Sequence, residues 1–175
     1  SAATGTPSSV ASIAKSAAPL VAAPATTKSA AAAPVRRTIK LNTNLANGVL
    51  VSVDGDPVGD AAGASLTLDD KLHSLELTCV SNMCEPQTQT VPAGDKDSEL
   101  TIVVKVRDAK LVVEGDPLKH YGLVERGLDL PSGVAIAVPM KLGQDFFTVT
   151  ERESGRNKRV MLTASKESHV KFEAE

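Results

Sequence analysis

Two cysteines are the residues whose spacing most clearly indicates chemistry. Cys79 and Cys84 stand five residues apart, where an alternating apolar run ends. We predict a disulfide between them, which closes a short loop and contributes about 2 kcal/mol by restricting the unfolded chain. Two reduced thiols, a metal site or a redox pair are the alternatives, although zinc prefers four ligands and the spacing is not Cys-x-x-Cys. An oxidised pair indicates an extracytoplasmic setting, at the periplasm or the cell surface.

Acidic residues close to glycines form a second group with possible chemistry. Asp54, Asp56 and Asp60 resemble the start of a calcium-binding loop. Such a loop has Gly at its sixth position and a bidentate Glu at its twelfth. Counted from Asp54, Gly59 is sixth but Ser65 is twelfth. Carboxylates that form turns are therefore the favoured interpretation, with calcium binding as the alternative.

The three histidines are scattered along the chain. His73 is in phase with Leu75 and Leu77, which favours a packed, hydrogen-bonded histidine over a metal ligand. His120 and His169 have no paired nucleophile beside them. The chain has no Gly-x-Ser-x-Gly elbow, P-loop, kinase loop or His-Glu-x-x-His motif. We therefore expect no catalytic residue, no bound metal, no cofactor and no enzymatic activity in this chain.

The few aromatic residues indicate one possible contact patch. The chain has no Trp, one Tyr and three Phe. Adjacent residues face opposite sides of a strand, so either Phe146 or Phe147 is expected at the surface. Together with Tyr121 they form a predicted contact patch, which would also be the platform of a less favoured carbohydrate-binding module.

Charge and hydropathy exclude two kinds of partner. The net charge of -2 over 175 residues argues against nucleic acid, whose binding grows with clustered Lys and Arg. No apolar run is long enough to span a bilayer, so membrane association is expected only through sequence outside this chain. A basic run interleaved with acidic residues predicts a solvated hairpin; it comprises Arg152, Arg156, Lys158 and Arg159, with Glu151 and Glu153.

The first 36 residues differ from the rest in composition. They are rich in Ala, Ser and Pro, and repeated prolines interrupt any helix. With nothing large to bury, this segment is predicted to be a disordered linker. A secretory signal or an organellar transit peptide is a less favoured interpretation. The first residue is Ser, which suggests a piece of a longer protein.

Beyond the linker, short alternating runs separated by glycine turns predict an all-β fold. We predict two tandem β-sandwich modules, at residues 37–107 and 108–175. A repeat at an offset of 60 residues supports a duplication. Its turn motif comprises Asp54, Gly55, Asp56 and Pro57 in the first copy, and Glu114, Gly115, Asp116 and Pro117 in the second.

The stretch Ala46-Asn47-Gly48-Val49-Leu50-Val51-Ser52-Val53-Asp54-Gly55 resembles the signature of the PEGA domain family. Ala46 and Asn47 stand where that family has its Pro and Glu. The resemblance implies small β-sandwich modules, often the extracytoplasmic C-terminal parts of bacterial membrane-bound Ser/Thr kinases. It implies no enzymatic activity and no agreed ligand.

These observations lead to one expected function and one alternative. The chain is expected to be a non-catalytic extracytoplasmic segment that binds or senses an envelope component or a protein partner of unknown identity. A kinase domain would then belong to a larger parent protein. The alternative is a structural spacer or surface-anchoring protein with no specific ligand.

The disulfide can be tested by mass. Alkylation of the denatured, unreduced protein is expected to leave the intact mass unchanged, because neither sulfur is free. Alkylation after reduction is the control and adds two groups. Two alkylated cysteines without reduction would show that the bond is absent.

Overall fold

The computed structural model describes residues 32–173, and its regular elements are fourteen strands and two single-turn 3-10 segments. The predicted all-β fold is confirmed. Of the predicted linker, residues 1–31 lie outside the described residues. The first seven strands are β1 (Arg36–Thr43), β2 (Val49–Val53), β3 (Asp56–Asp60), β4 (Ser65–Asp69), β5 (His73–Cys79), β6 (Gln87–Val91) and β7 (Ser98–Ile102). The second seven are β8 (Ala109–Glu114), β9 (Tyr121–Leu123), β10 (Leu128–Leu130), β11 (Ala135–Val138), β12 (Gln144–Glu151), β13 (Asn157–Thr163) and β14 (Glu167–Lys171).

Each set of seven strands forms a three-stranded and a four-stranded sheet. In the first module the sheets have the orders β4-β1-β7 and β3-β2-β5-β6. In the second module they have the orders β11-β8-β14 and β10-β9-β12-β13. The central strand of each three-stranded sheet pairs antiparallel on one side and parallel on the other. The two modules therefore share one topology, strand for strand.

The first core is built from aliphatic side chains at alternate positions. In β5, Leu75 and Leu77 are fully buried, whereas Glu76 and Thr78 are exposed. The same alternation in β1 and β4 places their leucines and Ile39 between the two sheets. A period of two is what a strand with one buried face requires.

The second core contains the aromatic residues. Tyr121 and Phe147 are each only 2% exposed, and the Tyr121 ring lies 5.1 Å from that of Phe172. Phe146 is 50% exposed on the opposite face of β12. The predicted contact patch is therefore wrong for Tyr121 and Phe147, because the inward face of their strands carries them into the core.

The repeat exists, but its register differs from the predicted offset of 60 residues. Val51 pairs with Leu77 in the first module, and Leu123 pairs with Val149 in the second, so equivalent residues of these strands are 72 apart. Gly55 (φ 90°) lies in the turn between β2 and β3, whereas Gly115 follows β8. The two acidic-glycine motifs therefore form turns at different corners of the fold, and the predicted equivalence is wrong.

The modules touch where the chain passes from one to the other. Val106 packs against both cores, and the Ser165 hydroxyl donates to the Ser81 carbonyl at 3.2 Å. Met83 packs against the second core, so closely that a Cβ on Gly143 would lie 2.6 Å from its sulfur. A side chain at position 143 would therefore require the Met83 side chain to move within the contact between the modules.

The adjacent phenylalanines give a matched test of this packing. Phe147→Ala is expected to lower the free energy of unfolding by about 3–5 kcal/mol, because it leaves a cavity in the second core. Phe146→Ala is expected to cost less than about 1 kcal/mol, because its ring is half in solvent. Urea denaturation of both variants checks this, and equal losses would contradict the assigned faces of β12.

Candidate functional site

An open groove in the first module is the candidate site. It lies between the edges of the two sheets and has a volume of about 350 Å³. All of β4, Ser65–Asp69, forms one wall. The β2–β3 hairpin forms the other wall through Val53, Asp54, Asp56 and Val58, and His73 completes the lining.

The strand β4 presents a regular, unprotected edge to this groove. It pairs with β1 only, so its other edge has no strand partner within residues 32–173. The opposite edge strand β3 carries Pro57, two aspartates and a bulge where it pairs with β2. Proline, charge and bulges protect a sheet edge against pairing. Of the two edge strands that line this groove, β4 is therefore the one whose edge is open to an added strand.

A histidine joins the two walls of the groove. His73 Nδ1 lies 2.6 Å from Asp54 Oδ2, and its Nε2 lies 2.8 Å from Asp69 Oδ1. A carboxylate accepts hydrogen bonds, so both contacts are satisfied only when both ring nitrogens carry protons. The bridge is thus built for an imidazolium ion. The predicted packed, hydrogen-bonded His73 agrees with this geometry.

Hydrogen bonds shift the pKa values of all three groups in the bridge. The hydrogen bond to Asp54 raises the pKa of His73, and the hydrogen bond to Asp69 raises it by a smaller amount. Partial burial acts in the opposite direction. The backbone N–H of Ser74, followed by His73, lowers the pKa of Asp54. The backbone N–H of Lys71, with a smaller effect of His73, lowers the pKa of Asp69.

In the second module a different residue joins the hairpin to the neighbouring strand at the position that corresponds to the His73 bridge. Arg126 in the β9–β10 turn stands 72 residues after Asp54. Its guanidinium donates to the Pro139 carbonyl, just beyond β11, at 3.2 Å and lies 5.6 Å from the centre of the Phe147 ring. An arginine is always charged near neutral pH. The equivalent link in the second module therefore does not depend on a titrating group.

The disulfide prediction is confirmed. Cys79 at the end of β5 is bonded to Cys84, with their Cα atoms 5.5 Å apart. Cys84 is buried in the first core, and the intervening turn has positive φ at Ser81 and Asn82. The bond fixes the corner from which Met83 reaches the second module. A disulfide is also a hint of an oxidising, extracytoplasmic environment.

A buried charge cluster holds the equivalent corner of the second module. Glu151 is fully buried, with Arg156 Nε at 2.7 Å and Lys119 Nζ at 2.6 Å. Hydrogen bonds from Arg156, Lys119 and Ser154 lower the pKa of Glu151 to about 2. The basic run was predicted to be a solvated hairpin. The hairpin is confirmed, but the prediction of a solvated surface is wrong for the pair Glu151 and Arg156. Their spacing of five residues, equal to that of the cysteines, was the signal that sequence reasoning missed.

Asp60, the third carboxylate of the possible calcium loop, has structural partners. Asp60 accepts from the backbone N–H groups of Gly48 and Ala62, at 3.1 and 2.9 Å. Within residues 32–173 no cluster of three or more His, Cys, Asp or Glu could hold a metal ion. In this same part of the chain no helix is long and apolar enough to cross a membrane.

The second copy of the turn motif lies apart from the groove. Glu114 contacts His169 Nδ1 at 2.7 Å, and Asp116 Oδ1 accepts from the Leu118 N–H at 2.9 Å. Gly115 lies against the Tyr121 hydroxyl, where a Cβ would clash. These residues shape the corner after β8.

No family model and no curated protein matches the chain. Among solved structures, the TIE protein of Bacillus anthracis is similar, with a TM-score of 0.43 and 10% sequence identity over 79% of this chain. The chain spans 34% of the length of that structure.

The His73 bridge predicts a pH dependence of stability. The pKa of His73 is raised above 6.5, so the stability that its imidazolium contributes is complete below about pH 6.5 and is lost as pH rises through the raised value. The urea concentration at the midpoint of denaturation is therefore expected to decrease as the pH rises above about 6.5. His73→Gln is expected to flatten part of this profile. His169→Gln is the control, because His169 is the other histidine with a raised pKa. A His73→Gln variant with the pH profile of the wild type would contradict the role of the bridge.

Proposed function

We propose that this chain is a non-catalytic interaction segment that binds an extended polypeptide along the free edge of β4. The observation that supports this is the groove, which runs beside all five residues of a regular strand whose outer edge has no partner within residues 32–173. An added strand gains main-chain hydrogen bonds from such an edge, and the pockets beside it select side chains. The buried Leu66 and Leu68 provide an apolar floor.

The setting that we propose is extracytoplasmic. The disulfide supports it, and so does the resemblance of residues 46–55 to the PEGA signature. In that setting the chain would be the outer part of a larger membrane-bound bacterial protein, such as a Ser/Thr kinase. Its partner would be a protein or another component of the envelope, and nucleic acid is not proposed.

A spacer without a ligand is the alternative function. It is less favoured because a spacer has no need of an open groove beside an unprotected edge. A carbohydrate-binding module is less favoured still. Phe146 is an exposed ring, but the Arg159 guanidinium lies 4.3 Å from its centre, which occupies the surface that a sugar would stack on.

The proposal can be tested by placing a charged residue on β4, which should prevent a peptide from pairing with its free edge. A neutral octapeptide of alternating serine and valine, acetylated and amidated at its ends, is titrated into the ¹⁵N-labelled full chain, and amide shifts are followed by NMR. We expect shifts along Ser65–Asp69, and their loss in Thr67→Lys, because a lysine on the exposed face of an edge strand opposes pairing.

Thr101→Lys is the matched control. Thr101 is exposed on β7, the opposite edge of the same sheet, so this variant is expected to bind as the wild type does. Shifts centred on β7, or shifts along β4 that persist in Thr67→Lys, would contradict the assignment. The absence of any shift would favour the spacer.

A further inference from the structure

We propose that the groove of the first module selects a segment that carries a lysine or arginine, and that this cation takes the place of His73 between Asp54 and Asp69. This inference rests on the proposed function and names its ligand class. The imidazolium of His73 then loses one proton to solvent, and the incoming cation keeps the two carboxylates paired. No other bond forms or breaks.

The lining of the groove carries the charge argument. Its titratable residues are Asp54, Asp56, Asp69 and His73, and it contains no lysine or arginine. Once His73 is neutral, three carboxylates face the groove with no cation opposing them. A peptide cation supplies the missing charge, and its methylene stem fits the apolar floor beside Leu66 and Leu68.

Arg37 and Lys71 lie near the bridge, and within residues 32–173 neither side chain forms an ion pair with Asp54 or Asp69. The exposed Arg36 stands opposite Asp69 in the β1–β4 register. The Arg37 guanidinium is buried and donates to the carbonyls of Asp69, Lys71 and Pro92, at 3.0, 2.8 and 2.7 Å. Lys71 meets the Asp69 carboxylate through its backbone N–H at 2.9 Å, and its exposed side chain adds a weak favourable charge interaction. β6, which pairs with β5 beside His73, contains no titratable residue. His73 is therefore the lining residue whose change of charge alters the electrostatic potential at the open side of the groove.

The geometry of the bridge explains why a cation and a proton compete. With one proton on the ring, only one of the two contacts is a hydrogen bond, and the second places a nitrogen lone pair against a carboxylate oxygen. The neutral histidine thus gives up one carboxylate readily, whereas the imidazolium holds both. Affinity for a cationic segment is expected to rise with pH, while affinity for a neutral segment is not.

Two acetylated, amidated octapeptides test this with the full chain: alternating lysine and valine, and alternating serine and valine. Calorimetric titrations run from about pH 5.5 to pH 8.5. Affinity for the lysine peptide is expected to rise by up to about tenfold per pH unit below the His73 pKa and then to level off. Binding near neutral pH is expected to release a proton, read from the dependence of the heat on the buffer. The serine peptide is expected to show neither effect.

Two substitutions bracket the wild type. His73→Gln, which carries no charge, is expected to bind the lysine peptide tightly at every pH. His73→Lys, which carries a permanent charge, is expected to bind it weakly at every pH. His120→Gln is the control, because His120 is exposed in the second module and pairs with Glu153 at 2.6 Å; it is expected to keep the wild-type profile.

The outcomes separate this inference from the proposed function. If both peptides shift the amides of β4 but the lysine peptide binds with an affinity independent of pH, the inference is overturned and the binding edge stands. A pH dependence that survives in His73→Gln also overturns it. If neither peptide binds at β4, both proposals fall together.

Discussion

The corner after the fifth strand of each module is the constraint on which the rest of the fold depends. In the first module a disulfide joins Cys79 to Cys84, and in the second a buried ion pair joins Glu151 to Arg156. Both links span five residues, and their first members are 72 residues apart. Each ends the long central strand of a four-stranded sheet and fixes where the chain returns. One topology thus uses a covalent and an electrostatic solution at the same place.

The choice of solution follows from what each core contains. The first module has no aromatic residue, so its core consists of smaller side chains, and a short disulfide loop adds about 2 kcal/mol by restricting the unfolded chain. The second module has Tyr121, Phe147 and Phe172 in its core. A buried carboxylate costs desolvation, which is offset here because Arg156, Lys119 and Ser154 all contact Glu151.

The sequence predicted the strands and their faces well, because alternation reports directly on burial. Leu75 and Leu77 point inward as expected, and Phe146 and Phe147 lie on opposite faces of β12. The register of the repeat was mispredicted because acidic-glycine motifs encode a turn and not its place in the fold. The groove was equally beyond prediction: Asp54 and Asp69 meet at His73 only through the pairing of β2 with β5 and the path of the β4–β5 turn.

The two modules differ at one equivalent corner, and this difference explains why the site is proposed in the first module and not in the second. In the second module Arg126 reaches the Pro139 carbonyl and lies over Phe147, so hairpin and strand are joined by a group that keeps its charge. In the first module the same junction consists of two carboxylates and a histidine, whose attraction needs a proton. Duplication supplies two copies of a stable scaffold. One copy keeps a permanently charged closure at this corner, and the other has the edge that we propose for binding beside a contact that, by our inference, a cation replaces.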